Sequence, residues 1–176
     1  MLDSGIAAEI GCGPSNSLRE AAMLSIIHAR DSEEVQCART LIEEYAASLN
    51  FDLCFQNFDE ELGNLPGEYS PPQGCILLAL QDGQSGGCVA LRGLDDGVCE
   101  MKRLYVRRTF RGLGIGKALT EAIIAEARRK AYKKICLDTV PSMHEAQGLY
   151  ESLGFQDIEP YRYNPVCGTR FMELSL

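Results

Sequence analysis

Apolar residues recur three and four positions apart in three stretches of the chain, and this spacing is typical of amphipathic helices. The first stretch covers 31–49 and begins with an acidic, capping-box-like segment, Asp-Ser-Glu-Glu. The second covers 114–131. The third covers 142–154, where it opens on a Ser-x-x-Glu capping box and stops at a glycine. A shorter helical segment is predicted around 57–62.

Short apolar runs bounded by turn residues predict strands between these helices. The turns at 82–83 and 95–97 are expected to join an antiparallel meander. The strand that follows the long helix is expected to run parallel to the strand before it. The predicted strands cover 23–29, 74–80, 87–91, 98–106, 135–140, 155–163 and 169–174. The order β-α-α-β-β-β-α-β-α-β-β indicates an α/β fold with a mixed sheet flanked by helices.

A glycine-rich segment lies where the strand 98–106 passes into the helix 114–131. Glycines at alternate positions let the backbone approach a ligand without hindrance from Cβ atoms. The unpaired N–H groups that open the following helix attract phosphate oxygens. The segment is therefore interpreted as a diphosphate cradle. It consists of Arg111, Gly112, Leu113, Gly114, Ile115, Gly116 and Lys117.

Two common nucleotide-binding motifs do not fit this cradle. A Walker A loop requires a hydroxyl residue after the lysine, and Ala118 stands there instead. The dinucleotide fingerprint requires a third glycine where this chain has Lys117 or Leu119. What remains is an Arg-x-x-Gly-x-Gly pattern, for which a glycine-rich turn that merely caps a helix is the alternative reading.

Together with a second motif, this pattern resembles the GNAT superfamily of acetyl-CoA-dependent N-acetyltransferases. The second motif, AQGLYESLGF at 146–155, is similar to the family signature Ala-x-x-Leu-Tyr-x-x-Leu-Gly-Phe in sequence and in its distance from the first. The resemblance implies the GNAT acyl-CoA N-acyltransferase fold, with a central, mostly antiparallel sheet and flanking helices. It also implies an N-acetyltransferase domain over 23–176, preceded by an N-terminal extension, 1–22, of unassigned role.

The resemblance further implies which groups handle acetyl-CoA. Backbone N–H groups of 111–117 would bind the diphosphate, and backbone groups of Leu104, Tyr105 and Val106 would pair with the pantetheine arm. Tyr150 stands in the position of the family's tyrosine that meets the sulfur of coenzyme A, where a phenol could protonate the leaving thiolate. A packed aromatic on the buried helix face is the alternative for Tyr150.

Glu100 is the candidate general base. It stands 11 residues before Arg111, which is the spacing of the base glutamate in the histone-acetylating branch of the family. Strict alternation would place it on one face of its strand with Lys102, Leu104 and Val106. The family resemblance implies that this strand is commonly bulged here, so the facing of Glu100 is left open. A surface pair between Glu100 and Lys102 is the alternative. A further departure from the family is that many relatives have an asparagine where this chain has Met143.

Composition and charge narrow the classes of function. The chain has 176 residues, of which 45% are hydrophobic and 24% charged, as in a single soluble domain. A net charge of −8 disfavours a nucleic-acid partner and would suit a cationic one, or would serve solubility alone. No apolar run approaches the roughly 20 residues that span a bilayer, and the acidic start lacks the basic residues of a secretory signal. The protein is therefore expected in the cytoplasm, without a membrane partner.

The eight cysteines are spread singly, without a Cys-x-x-Cys pair, and most stand among apolar residues. Buried free thiols are therefore favoured over disulfides or a zinc site, and no metal is expected. None of the cysteines is a candidate nucleophile, because no histidine stands at a recognisable spacing from any of them.

The predicted function is transfer of the acetyl group of acetyl-CoA to a primary amine by direct attack within a ternary complex. A non-catalytic acyl-CoA-binding sensor or interaction module is the alternative. The acidic residues of 50–72 would suit an amine acceptor if that segment walls the acceptor site, as it often does in the family, or they belong to a solvated loop. The acceptor, a small molecule or a peptide, is left open, and so is a homodimer.

Overall fold

The computed structural model describes residues 23–49, 57–95 and 97–176, so the extension predicted over 1–22 lies outside the described residues. The predicted order of helices and strands is confirmed over this part of the chain. The elements are β1 Leu24–His28, α1 Ser32–Ala47, α2 Phe58–Gly63, β2 Cys75–Gln81, β3 Gln84–Gly93, β4 Val98–Val106, α3 Ile115–Arg129, β5 Lys134–Thr139, α4 His144–Ser152, β6 Gln156–Ile158 and β7 Arg170–Ser175. Short 3-10 turns cover Gly67–Tyr69 and Arg108–Phe110.

The seven strands form one sheet in the order β1-β2-β3-β4-β5-β7-β6. Every neighbouring pair is antiparallel except β4 and β5, which run parallel on either side of the crossover helix α3. The predicted mixed sheet is therefore confirmed, as are the antiparallel meander and the parallel pair.

The two predicted capping boxes have different outcomes. At α1, an Asp31 carboxylate oxygen accepts from the Glu34 N–H at 2.8 Å, and Glu34 Oε2 accepts from the Asp31 N–H at 3.2 Å. The box predicted at Ser142 is wrong. The Met143 N–H donates to the Val140 carbonyl at 3.0 Å, so a turn occupies the start of this segment and α4 begins only after Met143.

Apolar side chains cover both faces of the sheet. On one face, Ile115, Leu119 and Ile123 of α3 belong to a core with the inward residues of β2 to β5 and β7. On the other face, Leu41 and Ile42 of α1 pack with residues of β2 and β3. Each of these five side chains is buried, and burial of a side chain this size contributes roughly 1.5–3 kcal/mol. Among the described helices, none is long and apolar enough to cross a membrane.

The closing strand pair is shorter than predicted. The strand predicted over 155–163 extends only over β6, and 159–169 forms an irregular segment before β7. Side chains of this segment reach back to the sheet, because Tyr161 and Arg162 bond to Glu100 and Asn164 bonds to Asp138. These long-range contacts replace the strand pairing that the sequence pattern predicted.

Candidate active site

The parallel strands β4 and β5 pair over only three residues each. Their register joins Val98–Glu100 to Lys134–Cys136, and both strands continue beyond the last pair. Where the pairing ends, a cavity lies between them, lined by 101–104 of β4 and by 137–140 at the end of β5. The remaining lining residues come from α1, from α4 with the residue before it, and from the irregular segment: Tyr45, Met143, Ala146, Tyr150, Arg162 and Asn164.

A bulge in β4 changes which way this strand faces. Lys102 lies opposite Ala90 and Tyr105 opposite Cys88, so β4 carries one extra residue there. Arg103 adopts a left-handed conformation with φ of 58°, which in a residue other than glycine costs of order 1–3 kcal/mol. A bidentate ion pair with Glu61, at 2.8 and 2.6 Å, holds it in place.

The bulge determines how the side chains of β4 face, which the sequence left open. Leu104 and Val106 pack with Met101 against the α3 layer, whereas Glu100 and Lys102 lie on the opposite face with Arg103. Side chains of a strand normally alternate between the two faces of the sheet, and the extra residue reverses this alternation after Arg103. The apolar side chains after the bulge therefore lie on the face opposite to the charged side chains before it.

The glycine segment forms an open turn at the start of α3. Gly112 and Gly114 have φ of 79° and 76°, and a Cβ added to either would meet no protein atom within 4 Å. No side chain caps the N-terminus of α3, so its first N–H groups have no side-chain partner. Arg111 and Lys117 are exposed beside them. The turn thus offers backbone donors and positive charge to an anion.

Tyr150 lies on the wall of the cavity and is 6% exposed. Its ring packs on Phe155 with centroids 5.7 Å apart. Burial raises the pKa of Tyr150, with smaller contributions from Tyr45 and Asp138, so the phenol stays protonated at neutral pH. Among the described residues its hydroxyl has no hydrogen-bond partner. The side chain is therefore both a packed aromatic and a donor available to the cavity, and its catalytic role stays a prediction.

Glu100 is completely buried at the edge of the same region. Its Oε2 accepts from Arg92 Nε at 2.8 Å, and its Oε1 accepts from the Tyr161 hydroxyl at 2.9 Å. Arg162 lies 3.2 Å from Oε1. The alternative of a surface pair with Lys102 is wrong, because Lys102 is also buried. Glu100 thus joins the strands to the irregular segment, and its role as a base stays a prediction.

A polar network that sequence reasoning missed extends from Glu100 along the cavity. Asp138 accepts hydrogen bonds from Arg162 and, at 2.7 Å, from Asn164 Nδ2. Burial lowers the pKa of Lys102 to about 8; Glu100 opposes this shift and the neighbouring guanidinium groups of Arg103, Arg162 and Arg92 add to it. The three charged residues at 100–103 could have indicated a polar site on β4. No motif within 159–169 indicated that this irregular segment would contact that site.

Described acidic residues of 57–72 pair with arginines of the sheet, and three of them, Glu60, Glu61 and Glu68, also line a hollow. Glu61 binds Arg103, and Glu68 binds Arg92. Although burial alone would raise it, Arg103 holds the pKa of Glu61 below its ordinary value. A hollow of about 420 Å³ lies beside these pairs. Asp52 falls outside the described residues.

Among the described residues, a group of possible metal ligands lies where β1, β2 and α3 meet. His28 Nε2, Cys75 Sγ and a Glu126 oxygen all lie within 4.8 Å of one another. His28 and Glu126 bond to each other at 3.1 Å, and Arg129 also bonds to Glu126, so the pair is already satisfied. The prediction of buried free thiols is confirmed for Cys75, Cys88, Cys99 and Cys136, whereas Cys37 is half-buried and Cys167 exposed.

Comparison with known proteins agrees with the motifs. Residues 38–155 match the acetyltransferase (GNAT) family. An uncharacterized N-acetyltransferase of Schizosaccharomyces pombe is 38% identical over 155 residues, which cover 87% of this chain and 95% of that protein. The N-acetylaspartate synthetase of Xenopus tropicalis is 37% identical over 98 residues, which cover 55% of this chain and 36% of that protein.

Solved structures share the fold. An acetyltransferase from Streptococcus agalactiae has a TM-score of 0.72 at 21% identity, covering 87% of this chain and 98% of its own. The PaiA N-acetyltransferase of Thermoplasma acidophilum, solved in complex with coenzyme A, has a TM-score of 0.68 at 15% identity, covering 88% of this chain and 99% of its own. At these identities the likeness establishes the fold.

Proposed function

The chain belongs to the acetyltransferase (GNAT) family, and from that premise we propose that it transfers the acetyl group of acetyl-CoA to the primary amine of an acceptor by direct attack in a ternary complex. Dependence on acetyl-CoA and the class of N-acetyltransferase follow from the family. The acceptor and the ternary mechanism are the proposed parts.

The single observation that carries the proposal is the gap between β4 and β5. Backbone groups of β4 that face this gap after Glu100 have no β5 partner, and Tyr150 lies on the same cavity. Unpaired strand groups are suited to hydrogen-bond an extended chain such as pantetheine. The glycine turn lies just beyond the end of β4, where the diphosphate of the same molecule would follow.

The chemistry requires one bond to form and one to break. The amine nitrogen attacks the acetyl carbon, the carbon–sulfur bond breaks, and the thiolate of coenzyme A takes a proton. Tyr150 is the proposed donor of that proton, and a backbone N–H of Leu104 to Val106 is the proposed donor to the thioester oxygen. In other acyl-transfer enzymes such a donor is worth about 2.7–4 kcal/mol.

The amine must also lose a proton, and Glu100 is the predicted base. Both of its oxygens already accept hydrogen bonds, from Arg92 on one side and Tyr161 on the other. Taking a proton from the amine would require Glu100 to give up one of these donors. This environment supports a second role for Glu100, in which it fixes the arginines around the acceptor cavity.

Acetyl-CoA binding tests the cradle directly. Gly114→Ala places a methyl group on an open, left-handed turn, and we expect acetyl-CoA to bind at least about tenfold more weakly in calorimetry because the backbone can no longer approach the diphosphate. Gly83→Ala is the matched control, since Gly83 has φ of 78° and equally open surroundings in the β2–β3 turn. Equal affinity in the two variants would contradict the cradle.

Release of free coenzyme A with a panel of amines separates enzyme from binding module. The proposed function predicts thiol release that depends on both acetyl-CoA and an amine. Acetyl-CoA binding without release, whatever amine is offered, would instead support the non-catalytic alternative.

A further inference from the structure

Positively charged side chains outnumber negatively charged ones on the wall of the β4–β5 cavity. Lys102, Arg103 and Arg162 line it, against a single carboxylate, Asp138. Asp138 is already bonded to Arg162 and Asn164. The carboxylates that pair with the arginines from the far side, Glu61 and Glu100, are described residues that lie outside the cavity wall. A ligand in the cavity therefore meets mainly cationic side chains.

Two buried polar atoms at this wall have no hydrogen-bond partner among the described residues: Thr139 Oγ1 and Arg162 Nε. Thr139 is only 3% exposed, so its hydroxyl has little access to water. A guanidinium N–H can only donate, and a hydroxyl can donate. Because buried polar groups are almost always satisfied, these two atoms call for a ligand that brings acceptor oxygens.

An acceptor that carries only amines does not suit such a wall. An ammonium group placed beside Lys102 and Arg162 would meet like charge in a poorly solvated site. A carboxylate or phosphate would meet opposite charge and hydrogen-bond donors together.

On the basis of the proposed function, we propose that the acceptor is a small primary amine that also carries a carboxylate or phosphate group, and that Lys102 and Arg162 bind this anionic group. The amine then lies towards Tyr150 and the thioester, with the anion held on the opposite side of the cavity. A polyamine is disfavoured by the same arrangement.

Matched acceptors measure the contribution of the anion. L-Alanine is compared with L-alaninamide, and O-phosphoethanolamine with ethanolamine, by kcat/KM for thiol release at saturating acetyl-CoA. The values are expressed per unprotonated amine, because the amines of a pair differ in pKa; spermidine serves as a purely cationic acceptor. We expect at least one anionic member to exceed its neutral partner, and spermidine, by about tenfold or more. The pair that shows the preference identifies carboxylate or phosphate as the anion.

The variant Lys102→Met assigns that preference to a residue. Methionine keeps the length and the apolar stem of the lysine, so the fold is expected to survive removal of a buried charge. We expect KM for the preferred anionic acceptor to rise about 10- to 100-fold, with little change for its neutral partner. The exposed Lys133→Met is the control, and it should change neither value.

The change that Lys102→Met causes is compared between the two acceptors of a pair. Differences in intrinsic amine reactivity cancel, because each acceptor is measured with both the wild type and the variant. Equal losses for both members would show a general defect and overturn the inference, as would a wild-type preference for the neutral members or for spermidine. No release with any amine despite acetyl-CoA binding would overturn the proposed function and the inference with it. These results are distinguishable, since only the last abolishes all turnover.

The pH dependence offers a second measurement on the wild-type enzyme. Burial lowers the pKa of Lys102 to about 8, with Glu100 opposing and Arg92, Arg103 and Arg162 reinforcing the shift. Lys102 is therefore charged below pH 8 and loses its charge above it. With kcat/KM expressed per unprotonated amine, the anionic-to-neutral ratio should fall as pH rises from 7 to 9, and it should stay flat in Lys102→Met. A flat ratio in the wild type, expressed in the same way, would count against Lys102.

Discussion

Tyr150→Phe is expected to lower kcat by about 10²- to 10⁴-fold, the range that a positioned general acid usually contributes. The phenol lies on the cavity wall without a hydrogen-bond partner among the described residues, and burial raises its pKa, so it is protonated at neutral pH and able to donate to the proposed leaving thiolate. Phenylalanine preserves the ring that packs on Phe155 at 5.7 Å. The Kd for acetyl-CoA and the thermal midpoint should therefore change little.

The matched control for this variant is Tyr163→Phe. Tyr163 is 77% exposed, so loss of its hydroxyl should leave kcat unchanged. Single-turnover measurements at saturating acetyl-CoA separate the chemical step from binding. Normal single-turnover rates in Tyr150→Phe would remove the acid role and leave the side chain as a packing residue.

Glu100→Gln is expected to lower the free energy of unfolding by about 3–5 kcal/mol, the usual cost of removing one partner from a buried ion pair. The reason is that Arg92 and Arg162 would lose the charge that both of them bind, while Tyr161 would lose a strong acceptor. Urea denaturation measures the loss, with constant slope as the check on two-state behaviour.

The exposed Glu151→Gln is the control for Glu100. Glu151 pairs with Arg170 at 2.7 Å on the surface, where such a pair is worth about 0–1 kcal/mol. A similarly small loss in Glu100→Gln would contradict the central role of Glu100 in the network. If turnover of the folded variant falls most at low pH, where unprotonated amine is scarcest, the prediction that Glu100 is the base gains support.

The hydrophobic periodicity and the turn residues of the sequence were sufficient to predict the order of helices and strands and the position of the glycine turn. Helices α1 and α3 each present a repeated apolar face, and their spacing survives in the structure. The glycine turn could be predicted because Gly112 and Gly114 adopt positive φ, which few other residues do readily. These features depend on residues close to one another in the chain.

The bulge and the β4–β5 cavity depend on contacts between distant residues. Arginine is an unusual choice for positive φ, so Arg103 gave no local sign of the bulge that Glu61 stabilises 42 positions away in the chain. Arg162 reaches Asp138 and Glu100 from a segment that was predicted as a strand. Arg92 and Glu100 were within reach of prediction, since they face each other across the predicted turn at 95–97.

The change of face at Arg103 has a consequence for the hydrophobic core. Glu100, Lys102 and Arg103 lie on one side of the sheet, whereas Leu104 and Val106 pack against the α3 core on the other. If β4 paired without the bulge, strict alternation would turn Leu104 and Val106 away from that core. The ion pair between Arg103 and Glu61 therefore links the register of this strand to the packing of its second half.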